Sequence, residues 1–185
     1  YDLNVGFASD SSNGGMELDG ATGLLYTNNV HDILNFNADV TPGTAGDGAS
    51  GAESYTLKPQ EIAYSESGDA GQYDNSTGVY TFLADGRHLI NIHLDLRNLP
   101  NTTDYVWLHA VTTHETFYGP IFRLDDLASG AAGDIDYFSY DMSFVVPAAA
   151  NETMTCKMSV SYADTGYKIN GSSSDYRSYI IVTRL

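Results

Sequence analysis

Basic residues are scarce in this sequence. Its 185 residues include 8 Lys and Arg against 24 Asp and Glu, which gives a formal net charge of −16, and residues 1–57 contain no Lys or Arg at all. So acidic a surface repels phosphate backbones and anionic lipid headgroups, and we therefore expect neither nucleic acid nor membrane insertion. The charge is typical of a solvated acidic surface, or of adaptation to salt or divalent cations that screen the carboxylates.

Cysteine and long apolar runs are also lacking. Cys156 is the one cysteine, so no disulfide can form within the chain. It alternates with Met154 and Met158, a pattern that predicts a buried, small apolar side chain. No apolar run has the length of a transmembrane helix.

Catalytic signatures are missing as well. The sequence contains neither a Gly-x-Ser-x-Gly nucleophile elbow nor a phosphate-binding Gly-Lys-Thr loop. Carboxylates are abundant, but nothing selects one pair for acid and base work. The five histidines show no metal-ligand spacing. We therefore predict that the protein is not an enzyme.

Alternation of apolar and polar residues is the main pattern present. It is clearest from Tyr73 to Leu96, where two strand-like runs flank a break at Asp85-Gly86 in the manner of a hairpin. In the second run one face carries His88, Ile90, Ile92, Leu94 and Leu96. Alternation over this length is typical of a half-buried antiparallel strand.

Further strand signals recur along the chain, with turns between them and no helical pattern. They cover residues 55–64 (broken by Pro59), 105–113, 116–124 (bent at Gly119-Pro120), 137–146, 153–162 and 176–185. This spacing predicts an all-β sandwich or jelly roll. The last strand is apolar on both faces at residues 179–182, so we expect it to lie inside the fold or to face a partner subunit.

Composition divides the chain near residue 53. Residues 1–53 are rich in Gly, Asp, Asn and Ser, with short apolar pieces and a Gly-rich linker at 41–51. We therefore predict an extended N-terminal arm or attachment segment over 1–53 and a compact domain over 54–185.

The stretch YDNSTGVYTFLADG resembles the C1q/TNF-like jelly-roll family. That family places a Tyr-Asp, a Thr-Gly and an aromatic residue before a Gly turn and a long apolar strand, and here these are Tyr73-Asp74, Thr77-Gly78, Tyr80 and Gly86. The closing segment from Tyr176 to Ile181 is similar to the family's last strand. The resemblance covers about residues 54–185 and implies a compact homotrimer that binds other molecules without chemistry.

Two departures from the family pattern direct the functional hypothesis. After Gly86 the usual alternate aromatics are replaced by His88, Ile90 and Ile92, and the sequence has no collagen-like Gly-X-Y repeat. Both point away from the animal complement proteins and toward a virion-surface trimer, such as a phage or viral fibre head, a receptor-binding tip or a capsid decoration. Its arm would attach to other virion proteins, and its three tips would bind a host surface glycan or protein receptor.

Two other functions stay open at this point. One is a secreted, extracellular invertebrate C1q-like recognition protein or lectin. Its glycosylation would use Asn-x-Ser/Thr sequons, which occur in predicted turns at Asn75, Asn101, Asn151 and Asn170. The other is an enzyme, for which the sequence offers no constellation.

Candidate site residues fall into three groups. Ligand binding is assigned to Tyr118, Tyr167 and Asp164, because loop tyrosines make good contacts with sugars and proteins. The resemblance and the two-sided last strand place Tyr176, Tyr179 and Ile181 in the trimer interface. Oxygen-rich loops suit Ca²⁺, the one cofactor considered, and its candidate ligands flank a Gly/Ala loop at Asp125, Asp126, Asp134 and Asp136.

Overall fold

The computed structural model describes residues 16–18, 25–27, 31–42, 53–65, 73–124, 135–161 and 167–185. Every helix or strand within these ranges is a β-strand. Two antiparallel sheets, here called sheet I and sheet II, pack face to face around the core. A separate small pair joins β1 (Met16–Leu18) to β2 (Leu25–Thr27).

Sheet I has β12 near its centre. From one edge to the other its strands are β10 (Thr116–Arg123), β9 (Tyr105–Thr112), β12 (Thr153–Val160), β7 (Val79–Thr81) and β6 (Tyr73–Asp74). β4 (Glu53–Thr56) lies beside the second half of β12, next in line after β7.

Sheet II is built on two long strands. Its order is β11 (Ile135–Ala148), β8 (Gly86–Leu99), β14 (Tyr179–Arg184), β3 (His31–Asn35) and β5 (Glu61–Ser65). The short β13 (Lys168–Ile169) pairs with the end of β8.

The core lies between the inward faces of the two sheets. In β8 the predicted face is buried from His88 to Leu96, every second residue, and its neighbours are half-exposed. Cys156 is buried in sheet I, as predicted, and burial raises the pKa of its thiol to about 12. Because each strand exposes alternate side chains to the opposite side, both sheets also have an outward face.

The predicted hairpin around Asp85-Gly86 is wrong. β7 belongs to sheet I and β8 to sheet II, so the chain crosses between the sheets at this break. Gly86 has a φ of 149°, a conformation that L side chains rarely adopt. Alternation correctly identified which side chains face the core, but it carries no information about which strand lies alongside.

The possible strand over 55–64 is two strands. Pro59 separates β4 from β5, and these belong to different sheets. Proline has no N–H to donate to a neighbouring strand. The chain therefore changes sheets at a residue that does not donate a backbone hydrogen bond.

The predicted boundary at residue 53 also needs correction. β3 lies between β14 and β5 inside sheet II, and Leu34 and Phe36 are fully buried in the core. The jelly roll therefore includes residues 31–42, which composition had assigned to the arm. An arm before residue 31 remains a prediction, and most of it lies outside the described residues.

The turn between β6 and β7 predicts a measurable pKa. Hydrogen bonds from Ser76 and then Thr77 lower the pKa of the Asp74 carboxyl to about 2. A lowered pKa means that the carboxylate stabilises the fold above its unfolded pKa, and that this contribution disappears as the pH falls through about 2. We expect Ser76→Ala to raise the Asp74 pKa toward 3.8 in an NMR titration. An unchanged pKa would show that Ser76 does not hold the carboxylate.

Candidate functional site

An aromatic cluster lies on the outward face of sheet I. Trp107 and Tyr118 stack with ring centroids 4.8 Å apart, and His109 lies 5.6 Å from the first and 5.8 Å from the second. We call these three residues the aromatic platform. β9 alternation places Trp107 and His109 on one face, and the pairing of β10 with β9 sets Tyr118 opposite His109.

The residues of the platform differ in their exposure to solvent. Tyr118 is 63% exposed, whereas His109 is only 8% exposed and its Nδ1 has no hydrogen-bond partner among the described residues. Lys157 lies opposite His109 on β12. Burial, and then the charge of Lys157, lower the pKa of His109, so the imidazole is neutral at pH 7.

A bulge in β10 holds the platform in place. The register of β10 shifts between Tyr118 and Ile121, and the Gly119 carbonyl at this bend accepts a 2.7 Å hydrogen bond from the indole Nε1 of Trp107. The next carbonyl, that of Pro120, accepts a hydrogen bond from the Tyr140 hydroxyl in sheet II. The bend therefore fixes the indole and ties β10 to β11.

Gly119 leaves no room for a side chain. A Cβ at this position would lie 1.7 Å from the Met142 sulfur and 3.0 Å from the Leu108 carbonyl oxygen. We expect Gly119→Ala to lower the free energy of unfolding by about 1–3 kcal/mol through overpacking. We also expect it to red-shift the emission of Trp107, the one tryptophan in the sequence, as the indole hydrogen bond is displaced.

Urea titration and fluorescence spectra would test this effect, with Thr116→Ala on the same strand as the control. The account of the bend is wrong if Gly119→Ala changes stability and emission no more than the control does.

On the outward face of sheet II, apolar residues of β14 and β3 lie beside Asn91 and His93 of β8. Ile33 lies opposite Ile181, and Thr183, the next outward residue of β14, lies opposite Leu89. His93 stacks on Tyr179 at 5.0 Å and its Nδ1 lies 2.6 Å from the Asp141 carboxylate. We call the half-exposed apolar residues Ile33, Leu89, Tyr179 and Ile181 the sheet II patch.

The side of the sandwich where β10 and β11 meet forms a second apolar surface. Phe122 packs on Phe138 at 4.9 Å and on Tyr140 at 6.1 Å, yet it remains 38% exposed. We call Phe122 and the two rings on which it packs, Phe138 and Tyr140, the edge cluster.

The predicted site residues do not come together in one place. Tyr118 lies in the aromatic platform, on the opposite sheet from Tyr179 and Ile181 in the sheet II patch, and Tyr176 is exposed in the segment before β14. Tyr167 is 2% exposed, so the prediction that it lies exposed in a loop is wrong. It directly precedes β13, which pairs with β8. The surrounding residues are polar, so the sequence pattern did not predict this short strand.

The other predicted ligands cannot be placed in the same way. Asp164 and three of the four calcium candidates, Asp125, Asp126 and Asp134, lie outside the described residues. Asp136 is described and is exposed on β11. Among the described ranges no group of three or more His, Cys, Asp or Glu could hold a metal ion. A calcium site stays a prediction for the segment that carries the other three.

Sequence reasoning did not single out Trp107 and His109. Their shared strand parity was visible, and parity alone predicts a common face. The missing information was the pairing with β10, which brings Tyr118 onto the same face.

Solved structures share this architecture. Crystal structures of murine APRIL at pH 8.5 and at pH 5.0 each give a TM-score of 0.50 at 9% sequence identity, and cover 85% of this chain and 99% of theirs. Eiger TNF from S. frugiperda gives a TM-score of 0.46 at 14% identity, covering 85% of this chain and 91% of that one. No protein-family model matches the sequence, and no curated protein matches it.

The likeness to the two APRIL structures shows the fold. The chain is an all-β, TNF-like jelly-roll sandwich, which confirms the fold predicted from the Tyr73 stretch and the closing strand. The described part of the chain contains no helix with the length and hydrophobicity that crossing a membrane requires.

Proposed function

We propose that this protein is a non-enzymatic homotrimer on the surface of a virion, where it binds a host receptor. The observation that supports it most is the sheet II patch. A sandwich sheet that faces water on its outward side is expected to carry polar residues there. Here β14, the middle strand in the order of sheet II, instead presents Tyr179 and Ile181 beside Ile33 of β3.

The edge cluster is a suitable partner for this patch. Both surfaces are apolar, and they lie at different places on the same subunit, one on a sheet face and the other along a side of the sandwich. A contact between two different patches is heterologous, and such contacts close into a ring when the rotation between subunits permits. In the proposed trimer the edge cluster of each subunit covers the sheet II patch of the next.

Such an assembly would display three copies of the outward face of sheet I. The proposed contacts use the outward face of sheet II and the β10–β11 side. The outward face of sheet I therefore stays accessible to a receptor. Three linked sites raise avidity far above the affinity of one site. The net charge of −16 argues against nucleic acid or an anionic membrane as the receptor.

Attachment to a particle is assigned to the segment before residue 31, which lacks basic residues. Immunogold electron microscopy of purified particles, with an antibody to the jelly roll, tests this role. We expect labelling on the particle surface, and release of the label after removal of residues 1–30. Antigen found only in particle-free supernatant would contradict the virion assignment.

A secreted recognition protein is the second candidate, because three sequons are exposed. Asn75, Asn101 and Asn151 lie exposed in turns, whereas Asn170 is buried and donates a 2.6 Å hydrogen bond to Asp95. Peptide-N-glycosidase treatment of the protein isolated from its source separates the candidates. Loss of mass at the three exposed sites would favour the secreted protein, and an unmodified chain would favour the virion protein.

A further inference from the structure

We propose that the aromatic platform is a binding site for a neutral saccharide, with the exposed ring of Tyr118 stacked on the apolar face of a pyranose. This inference rests on the proposed receptor-binding function and names its ligand class and its site. The platform lies on the outward face of sheet I, which the proposed trimer contacts leave open.

The ring of Tyr118 is held in place before any ligand binds. Tyr118 is 63% exposed, yet one of its faces stacks on Trp107 at 4.8 Å and a 21° interplanar angle. The hydrogen bond from the indole to the Gly119 carbonyl fixes Trp107 in turn. An aromatic side chain that is already immobilised loses little conformational entropy when a ligand covers its free face.

Polar groups lie close to the ring of Tyr118. His109 is more than nine-tenths buried within the platform, and its Nδ1 has no hydrogen-bond partner among the described residues. Ligand sites combine an aromatic or apolar surface with a few polar groups that fix orientation. Lys157, opposite His109 on β12, supplies an ammonium donor on the same face. A sugar hydroxyl can accept from this ammonium.

Electrostatic repulsion disfavours the other classes of ligand that stack on aromatic rings. Nucleobases come with phosphates, which a protein of net charge −16 repels. A cationic ligand would meet Lys157 next to the platform. A neutral sugar meets neither obstacle.

The one tryptophan of the chain makes the site directly observable. Trp107 is part of the platform, so its fluorescence reports ligand at Tyr118 without a label. The intact protein would be titrated with methyl β-galactopyranoside, methyl α-mannopyranoside and methyl N-acetyl-β-glucosaminide, with saturation-transfer NMR of the sugar as a second readout. We expect at least one glycoside to bind with a Kd on the order of 1–10 mM, as a shallow site with a single stacked ring would give.

Substitutions then assign the binding to the ring. Tyr118→Phe keeps the stacking surface and should bind within about threefold of the parent, whereas Tyr118→Ala should bind at least about tenfold more weakly. Leu83→Ala, which removes an exposed apolar side chain elsewhere, is the matched control and should have no effect. Circular dichroism of each variant confirms that the exposed substitution leaves the fold intact.

Three results would overturn the proposal. The first is no binding of any glycoside at about 50 mM, which is well above the expected Kd, and the second is equal binding by the parent protein and Tyr118→Ala. The third is Tyr118-dependent binding to cells that persists after enzymatic deglycosylation of the cell surface. The last would assign the platform to a polypeptide receptor. Subunit mass measured on the same samples separates the two levels of the account. A trimer that binds no sugar refutes only the saccharide site, and a monomer that binds sugar refutes only the trimer.

Discussion

The Ile181→Asp substitution is expected to convert the proposed trimer into monomers. Ile181 lies in the middle of the sheet II patch, opposite Ile33 on one side and Asn91 on the other, and its side chain points away from the core. In the proposed trimer the carboxylate would be buried against apolar side chains of the next subunit. A buried, unpaired charge is far less favourable than a solvated one, so the interface would not form.

Val111→Asp is the matched control for this substitution. Val111 is also β-branched, half-exposed and outward-facing, but it lies on sheet I, away from both proposed contact surfaces. The two variants carry the same net charge, so a change in general repulsion affects them equally. Light scattering should give a monomer mass for Ile181→Asp and a trimer mass for Val111→Asp. If both variants keep the parent mass, the sheet II patch is not the interface.

The Tyr80→Phe substitution is expected to lower the free energy of unfolding by about 2–3 kcal/mol. The Tyr80 hydroxyl lies 2.5 Å from Oδ2 of Asp32, and both side chains are buried between the sheets. Burial, and then Asp32, raise the pKa of Tyr80, so its hydroxyl keeps the proton that it donates. Oδ1 of Asp32 already has no hydrogen-bond partner among the described residues. Removing the hydroxyl therefore leaves a buried carboxylate without this donor.

The double variant Asp32→Val with Tyr80→Phe tests the cause. Replacing both members of a buried polar pair by apolar groups is often close to neutral, whereas removing one member is not. We therefore expect urea denaturation to show the double variant as more stable than Tyr80→Phe alone. A double variant whose destabilisation equals or exceeds the sum of the two single effects would contradict the interpretation.

The inward face of β8 was the part of the fold most open to sequence reasoning. The face from His88 to Leu96 follows from alternation, because a strand with one buried side must place apolar residues at every second position. Strand partners follow from no such local rule. The crossing between sheets at Gly86 and the sheet change at Pro59 depend on long-range packing, which a pattern of period two does not encode.

Short strands in polar surroundings were the second difficulty. β3 has five residues and contributes Leu34 to the core, yet the Gly- and Asp-rich composition around it predicted an arm. Tyr167 was misassigned for the same reason, because it adjoins a two-residue strand inside a polar segment. In both cases the segment is held by pairing with a sheet II strand that is distant in sequence, β3 with β14 and β13 with β8, and local composition does not reveal such pairing.

The candidate site was only partly visible in the sequence. The contacts that tyrosines make with sugars and proteins pointed to Tyr118, and the structure places it on strand β10, in the aromatic platform. Trp107 and His109 complete the platform through the pairing of β9 with β10 and the bulge at Gly119, neither of which the sequence specifies on its own.

The mass of the protein in solution tests the central claim most directly. Light scattering coupled to gel filtration would be run in Ca²⁺ and again in EDTA, so that the predicted calcium site is tested with it. We predict three times the chain mass of 20.0 kDa in Ca²⁺. A trimer that dissociates in EDTA would support structural calcium, and a trimer indifferent to EDTA would remove it while leaving the assembly intact. A monomer mass in Ca²⁺ would contradict the account.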